Sequence, residues 1–420
     1  MWDPYAEFEK ETLPNGLDVY VAHWPNRPWE FFKFIIHSGA EQDPVGLEGL
    51  SYFLEHLVSN NVSFVSSNEM KDFFREYGGC VNLGETNFSS AKYGFSIPIK
   101  KSLLTRAFSI FGHMLIKGKV EKLIERERQV VIGEFHRKYR TYVDFELGMR
   151  EHWILFGGYW PERLITPLGS PKSIEAISPA DLQKFYDQHY VPSNMSIVCV
   201  GGMKLADVLE VISRSPFAVN KKGAKKLLPI PINEVLQLIE NNHFKSWNDY
   251  CNDNISIDTG FYRSVTRIPG SFSRQAVTVL SGMLDEALFG KVREELAWTY
   301  DISSGWLNFR CFFGLAINCG SFSSKAVDSI QDVVNECIGS LEKKEDLFNK
   351  IKRRMLARSL FVNLSAKDLC DEASDEIDFF HRIITNAEDD EMIKKVTMDD
   401  IRKMLHYLRP ENRWTLIVKP

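Results

Sequence analysis

The apolar spacing of the first sixty residues sets out strand, turn, strand and helix. Leu17 to Trp24 (LDVYVAHW) alternates as a half-buried strand does, and Asn26 to Pro28 supplies a turn. Glu30 to Gly39 (EFFKFIIHSG) is nearly continuous in apolar residues, which predicts a strand at the centre of its sheet. From about Gly46 the period becomes helical. Leu47, Leu50, Leu54, Leu57 and Val58 form a core-facing stripe, and over Ser51 to Asn61 (SYFLEHLVSNN) Tyr52, Glu55, His56 and Ser59 share another face. A second helical stretch, Lys119 to Lys138, carries Val120, Ile124, Glu127, Val131 and Glu134 on one stripe.

Two distant segments resemble each other. ISPADLQKFYDQHYVPSNMSIVCV starts at Ile177 and VTMDDIRKMLHYLRPENRWTLIV at Val396. In each, a Ser or Thr stands three positions before an acid, as in a capping box, and a helical pattern, a Pro-x-Asn turn and an apolar strand follow. The spacing is half the chain, so a duplicated domain is the economical explanation. The expected fold is α+β: two duplicated domains, each a mixed, largely antiparallel sheet packed with helices. The boundaries read as 1–214 for the first domain, 215–232 for a linker rich in Pro, Gly and Lys, and 233–420 for the second.

Composition narrows the function classes. A chain of 420 residues with 44% hydrophobic and 25% charged residues can bury sizeable cores. A net charge of −5, with no basic patch interleaved with aromatics, argues against nucleic acid. No apolar run is long enough to span a membrane. Seven cysteines without a C-x-x-C pair suggest free thiols in a reducing compartment, and the mixed, acidic N-terminus is unlike a targeting peptide, so a cytoplasmic location is expected.

The candidate chemistry lies on the two helices. Two ligands one helical turn apart, flanking a glutamate, can hold a catalytic zinc while the glutamate polarises its water. A Glu–His pair on a helix is ordinarily a solvated face. Glu127 and Glu134 change the balance, because carboxylates on a mostly apolar stripe must be paired, protonated or metal-bound.

Together these segments resemble the pitrilysin/insulinase family of inverted zincins, marked by His-x-x-Glu-His and a further glutamate about 75 to 80 residues on. Glu134 follows His56 by 78 residues. HSGAEQDPVGLEGLSYFLEHL, REYGGCVNLGETNFSSAKYGFSI, ERERQVVIGEF and LFGKVREELAWTYDISSG resemble further family segments in the family's order. The resemblance implies Glu55 as general base, His56 and Glu134 as zinc ligands and Glu127 as a supporting carboxylate. It also implies an edge strand near Cys80 to Leu83, with Asn82, that pairs with an extended peptide, and Arg293 and Tyr300 as substrate-binding residues; against the family pattern, this chain has one residue more between Asn82 and Thr86. Tyr52 stands where the family has its first histidine, and as an oxygen ligand it would be the third candidate around the metal. A phenol must lose a proton to ligate, so zinc is expected to be weakly held or absent. The resemblance further implies pairing with a related chain, as a homodimer or heterodimer, into a clamshell. Two functions are therefore carried forward: a zinc-dependent metalloendopeptidase with a modified site, acting with a partner, and a non-catalytic partner that gives Arg293, Tyr300 and a peptide-binding surface to a zinc-bearing chain.

Overall fold

The strands and helix expected near the N-terminus are present in a computed structural model that describes residues 2–60, 64–139, 166–221, 243–246, 259–309, 312–358 and 365–419. The chain divides into two units. In the first, β1 (Phe8–Thr12), β2 (Asp18–His23), β3 (Trp29–Ile36), β4 (Cys80–Thr86), β5 (Ala91–Pro98) and β6 (Met195–Gly201) lie in the order β1-β2-β6-β3-β5-β4. Only the β2–β6 pairing is parallel.

The apolar run at residues 30–39 is central because both its faces are covered. Phe32, Phe34 and Ile36 point into one core, where Phe34 stacks on Phe111 and Phe217. That core is closed by α1 (Leu50–Val58), α2 (Ser67–Glu76), α3 (Lys101–Leu115) and α4 (Ile124–Lys138). Ile35 points the other way, with Tyr20, Val198 and Val200, against Leu369, Cys370, Ala373 and Ile377. Burying each such side chain fully contributes about 1.5–3 kcal/mol.

The second face is thus covered by a helix, Ala366–Phe380, that comes from late in the chain. Charged contacts fix its register. Lys92, only 3% exposed, reaches Asp375 at 2.5 Å and Asp378 at 3.7 Å, and Lys33 reaches Asp371 at 2.7 Å. The start of the stretch read as a linker is also packed in this unit, since Phe217 is fully buried and Asn15 Nδ2 donates to its carbonyl. Residues 222–242 lie outside the described residues.

The second unit repeats the first strand for strand. Its strands β7 (His243–Ser246), β8 (Thr259–Pro269), β9 (Asp301–Phe309), β10 (Phe312–Ser323) and β11 (Trp414–Lys419) lie in the order β7-β11-β8-β10-β9, again with one parallel pairing, β7–β11. Without β1, the first sheet reads β2-β6-β3-β5-β4, so each strand has a counterpart in the same sequence order. The two repeat segments occupy equivalent places. Ser178 and Thr397 each cap a helix with the acid three residues on, the α5 (Pro179–His189) and, in the second unit, Met398–Leu405 helices, and each helix leads through a Pro-x-Asn turn to β6 or β11. The α+β duplication is therefore present in sheet topology as well as in sequence.

Cys80, Cys199, Cys319, Cys337 and Cys370 are free, and the other two cysteines lie outside the described residues. No helix among the described residues is long and apolar enough to cross a membrane.

Candidate active site

The helix α1 is shorter than its apolar period suggests. Gly46 and Gly49 take left-handed conformations, with φ of 84° and 92°, and Asp43 accepts from Gly49 N at 2.8 Å and Ser51 N at 2.9 Å. The glycines turn the chain, so the helix starts at Leu50. Its stripe of Leu50, Phe53, Leu54, Leu57 and Val58 is fully buried, and that packing fixes the direction of Tyr52, Glu55 and His56. The helix α4 also starts late, after Leu123 at φ 61°, and its buried Val131 directs Glu127 and Glu134 toward α1.

Four of these five side chains, all but Glu55, meet. Tyr52 Oη donates to Glu134 Oε2 at 2.9 Å. His56 lies between two carboxylates, with Nδ1 3.5 Å from Glu127 Oε2 and Nε2 3.4 Å from Glu134 Oε2, and its ring centre is 5.1 Å from that of Tyr52. Arg126 stands 3.8 Å from Glu127 and Arg137 stands 3.6 Å from Glu134. Burial, and then the hydrogen bond to Glu134, hold the Tyr52 phenol well above its ordinary range, so it stays protonated at neutral pH. Among the described residues no group of three or more His, Cys, Asp or Glu side chains is gathered as a metal site.

Glu55 is 9% exposed and accepts from Thr86 Oγ1 at 3.1 Å. Burial pushes its carboxyl up to about 7, against the lowering effect of Thr86. A carboxyl poised near neutrality can accept or release a proton in general acid–base chemistry. Thr86 ends the edge strand β4, whose outer side is unpaired within its sheet. Against β5, Asn82 pairs with Gly94 and Glu85 with Lys92, so Leu83 and Gly84 oppose Tyr93 alone in a β-bulge. Asn82 turns inward on its own strand, its Oδ1 accepting from Gly84 N at 3.1 Å. The bulge brings Gly84 against Glu55, where a Cβ would lie 2.2 Å from Oε1. A cavity of about 480 Å³ opens beside Glu55, His56, Gly84 and Glu127.

Arg293 and Tyr300 also meet, within the second unit. The helix Arg274–Leu288 runs into a π-helical segment, Phe289–Glu295, which carries Arg293. The guanidinium lies 4.6 Å from the Phe289 ring centre and 5.0 Å from that of Tyr300, a residue 85% exposed just before β9. A half-buried Arg beside an exposed Tyr offers a cation, a hydroxyl and a ring face to whatever docks there.

Residues 31–145 match the family model for insulinase, peptidase family M16, and residues 176–355 match that for the peptidase M16 inactive domain. This chain belongs to the M16 insulinase family. Helicobacter pylori zinc protease PqqE is 25% identical over 232 residues, covering 53% of this chain and 49% of that protein. The mitochondrial-processing peptidase subunit beta of Saccharomyces cerevisiae is 25% identical over 192 residues, covering 46% of this chain and 40% of that protein. The matched span is thus about half or less of these relatives' lengths. A crystal structure of a Helicobacter pylori protease superposes with a TM-score of 0.80 at 17% identity, covering 100% of both chains. Pitrilysin gives 0.72 at 14%, covering 98% of this chain and 45% of that one.

Within this M16 chain, three residues that shape the site have no role assigned in the sequence reading. Asp43 ties the loop before α1, Thr86 holds Glu55, and Gly84 makes room for it. An acid shortly before a helix is a readable start signal. The extra residue between Asn82 and Thr86 is the sequence trace of the bulge.

Proposed function

We propose that this chain is a peptide-binding subunit of a paired M16 peptidase, taking part in the hydrolysis of unstructured peptides beside a partner chain that carries the zinc. One observation carries the reading: the Tyr52 hydroxyl donates into Glu134 Oε2, the carboxylate oxygen nearest His56. Zinc is expected from the names of relatives such as PqqE. The donor set here does not fit it as a resident ion. His56 and Glu134 offer two ordinary ligand atoms, and the third position is a phenol kept protonated by burial and by Glu134 itself.

The rest of the chain suits a subunit. Arg293 and Tyr300 are together, with Tyr300 exposed and Arg293 half-buried, and the edge strand β4 presents free backbone groups with which an extended peptide can pair, independent of its side chains. The family includes a protein named as a subunit of a processing peptidase. A second reading, a metallopeptidase active in its own right, is favoured by Glu55. That carboxyl is buried, held near 7, faces the cavity and has the character of a general base.

Elemental analysis and a peptide-cleavage assay on the lone protein distinguish the two. The subunit reading expects no stoichiometric zinc and no hydrolysis alone. It expects cleavage once an M16 chain with an intact His-x-x-Glu-His is added, and loss of that cleavage on Tyr300→Ala in this chain. Chelator-sensitive cleavage by the lone protein, abolished by Glu55→Gln, would overturn it in favour of the second.

A further inference from the structure

The cavity beside Glu55 has a lysine in its lining that the reading above does not use. Its outer wall is built from Ser66, Ser67 and Asn68 at the start of α2, Lys71 one turn on, and Arg126 at the start of α4. Two carboxylates line the space, and both have partners. Glu127 stands 3.8 Å from Arg126 and 3.5 Å from His56, and Glu55 accepts from Thr86. Lys71 is half-buried, lines the same cavity and makes no ion pair or hydrogen bond among the described residues. The neighbouring acid on its helix, Asp72, is turned to Arg75 at 3.6 Å. A half-buried lysine without an ion-pair partner among the described residues, in the lining of a space of about 480 Å³ that Ser, Asn and two already partnered carboxylates share, can take an anion of side-chain size. The first turn of α2 faces the same space, and its partial positive charge has the same sign, although the unpartnered lysine carries the argument.

The cavity also lies where a peptide side chain would enter. Leu83 and Gly84 of the β4 bulge line it. Side chains of an extended peptide added to β4 alternate between the faces of the sheet, so one beside the bulge turns toward α1 and α2.

We propose that this cavity receives an acidic side chain, Asp or Glu, of a bound peptide and that Lys71 selects it. The inference rests on the peptide-binding reading above and adds to it the class of peptide. It is tested by fluorescence anisotropy on the full chain, with fluorescein-labelled unstructured ten-residue peptides. Each carries Glu, Gln or Lys at one position, and that position is moved along the peptide. At the best position the Glu peptide should bind about tenfold more tightly than the Gln peptide, the worth of one charge-assisted contact. Lys71→Met should collapse that ratio toward one, and Lys71→Glu should reverse the order in favour of the Lys peptide. Lys71→Gln repeats the measurement if methionine disturbs α2.

Equal binding of the Glu and Gln peptides overturns the acidic pocket and leaves peptide binding standing. A preference that survives Lys71→Met overturns the assignment to Lys71. Failure of every peptide to bind overturns both the inference and the reading beneath it.

Discussion

Replacing Tyr52 with histidine should create a zinc site where the wild-type chain has a hydrogen bond. Spacing is the reason. Two donors, each about 2.1 Å from a tetrahedral ion, stand about 3.4 Å apart, and His56 Nε2 lies 3.4 Å from Glu134 Oε2. Tyr52 Oη lies 2.9 Å from the same oxygen, close for two ligands of one ion and normal for a donor and its acceptor. Histidine at position 52, one turn before His56, would replace that donor with a nitrogen able to ligate while neutral. Zinc at about a hundred times its Kd would stabilise the folded variant by about 2.7 kcal/mol, which raises Tm by about 5–10 °C in a domain of 150–250 residues. Differential scanning fluorimetry with and without zinc reads this directly. The Tyr52→His protein should show the shift, the wild type should move by less than about 1 °C, and adding Glu134→Gln to the variant should remove the gain. An equal shift in the wild type would mean that the phenol is no barrier to zinc. No shift in the variant would mean that the 3.4 Å gap is not a prepared site, and either result refutes the reasoning.

Three further outcomes follow from packing and charge. Gly84→Ala places a methyl group 2.2 Å from Glu55 Oε1, so it should cost about 1–3 kcal/mol in thermal melting, and a crystal structure should find Glu55 turned away from Thr86. Lys92→Met removes a buried cation that faces both Asp375 and the fully buried Asp378; a loss of about 3–5 kcal/mol is expected, together with faster limited proteolysis around the Ala366–Phe380 helix. Glu30 is fully buried and its carboxyl is pushed up to about 8 by that burial, against the amides of Met203 and Gly202. A raised carboxyl makes the folded state the better proton binder. Its contribution is therefore full below the ordinary value of 4.5 and is lost as pH rises through 8, by on the order of a few kcal/mol. Urea unfolding at pH 5.5 and 8.5 should show that loss in the wild type and a smaller one in Glu30→Gln; identical profiles would count against the assignment.

The strands and the repeat were legible because their signals are local. A continuous apolar run such as Phe31 to Ile36 must be covered on both faces, and Ser178 and Thr397 carry capping acids within three residues. The helical face of Tyr52, Glu55 and His56 was legible from period alone, and its partners Glu127 and Glu134 from the cost of a carboxylate on an apolar stripe. What local pattern could not supply is the second face of the first sheet. Ala366–Phe380 reads as one more amphipathic helix of the later half, and its packing on Ile35, Val198 and Val200 and its pairing with Lys33 and Lys92, all far back in the chain, assign it to the first unit. The bulge at Gly84 was half legible. Counting showed an extra residue before Thr86, but a count does not say which residue leaves the ladder or that its missing side chain makes room for Glu55.

The survival of four ionisable side chains around Tyr52 suggests from sequence that a cation must still occupy the site. Carboxylates facing a core are costly, and a metal is the obvious remedy. The geometry supplies another. Glu134 receives the Tyr52 hydroxyl and faces His56 at 3.4 Å and Arg137 at 3.6 Å, while Glu127 faces His56 at 3.5 Å and Arg126 at 3.8 Å. Each carboxylate is thus met by a histidine nitrogen and an arginine of this chain. Glu134 lies at the rim, with a quarter of its side chain exposed, so water meets part of its charge as well. The acids can persist for the stability of the α1–α4 contact without any ion. Their presence therefore does not count as evidence for metal, and the weight of the functional argument moves to the one side chain that differs from the family pattern. A neutral histidine at position 52 would have a ring-nitrogen lone pair to share an ion with Glu134. The tyrosine hydroxyl keeps its proton and directs it at Glu134, competing with any ion for that oxygen.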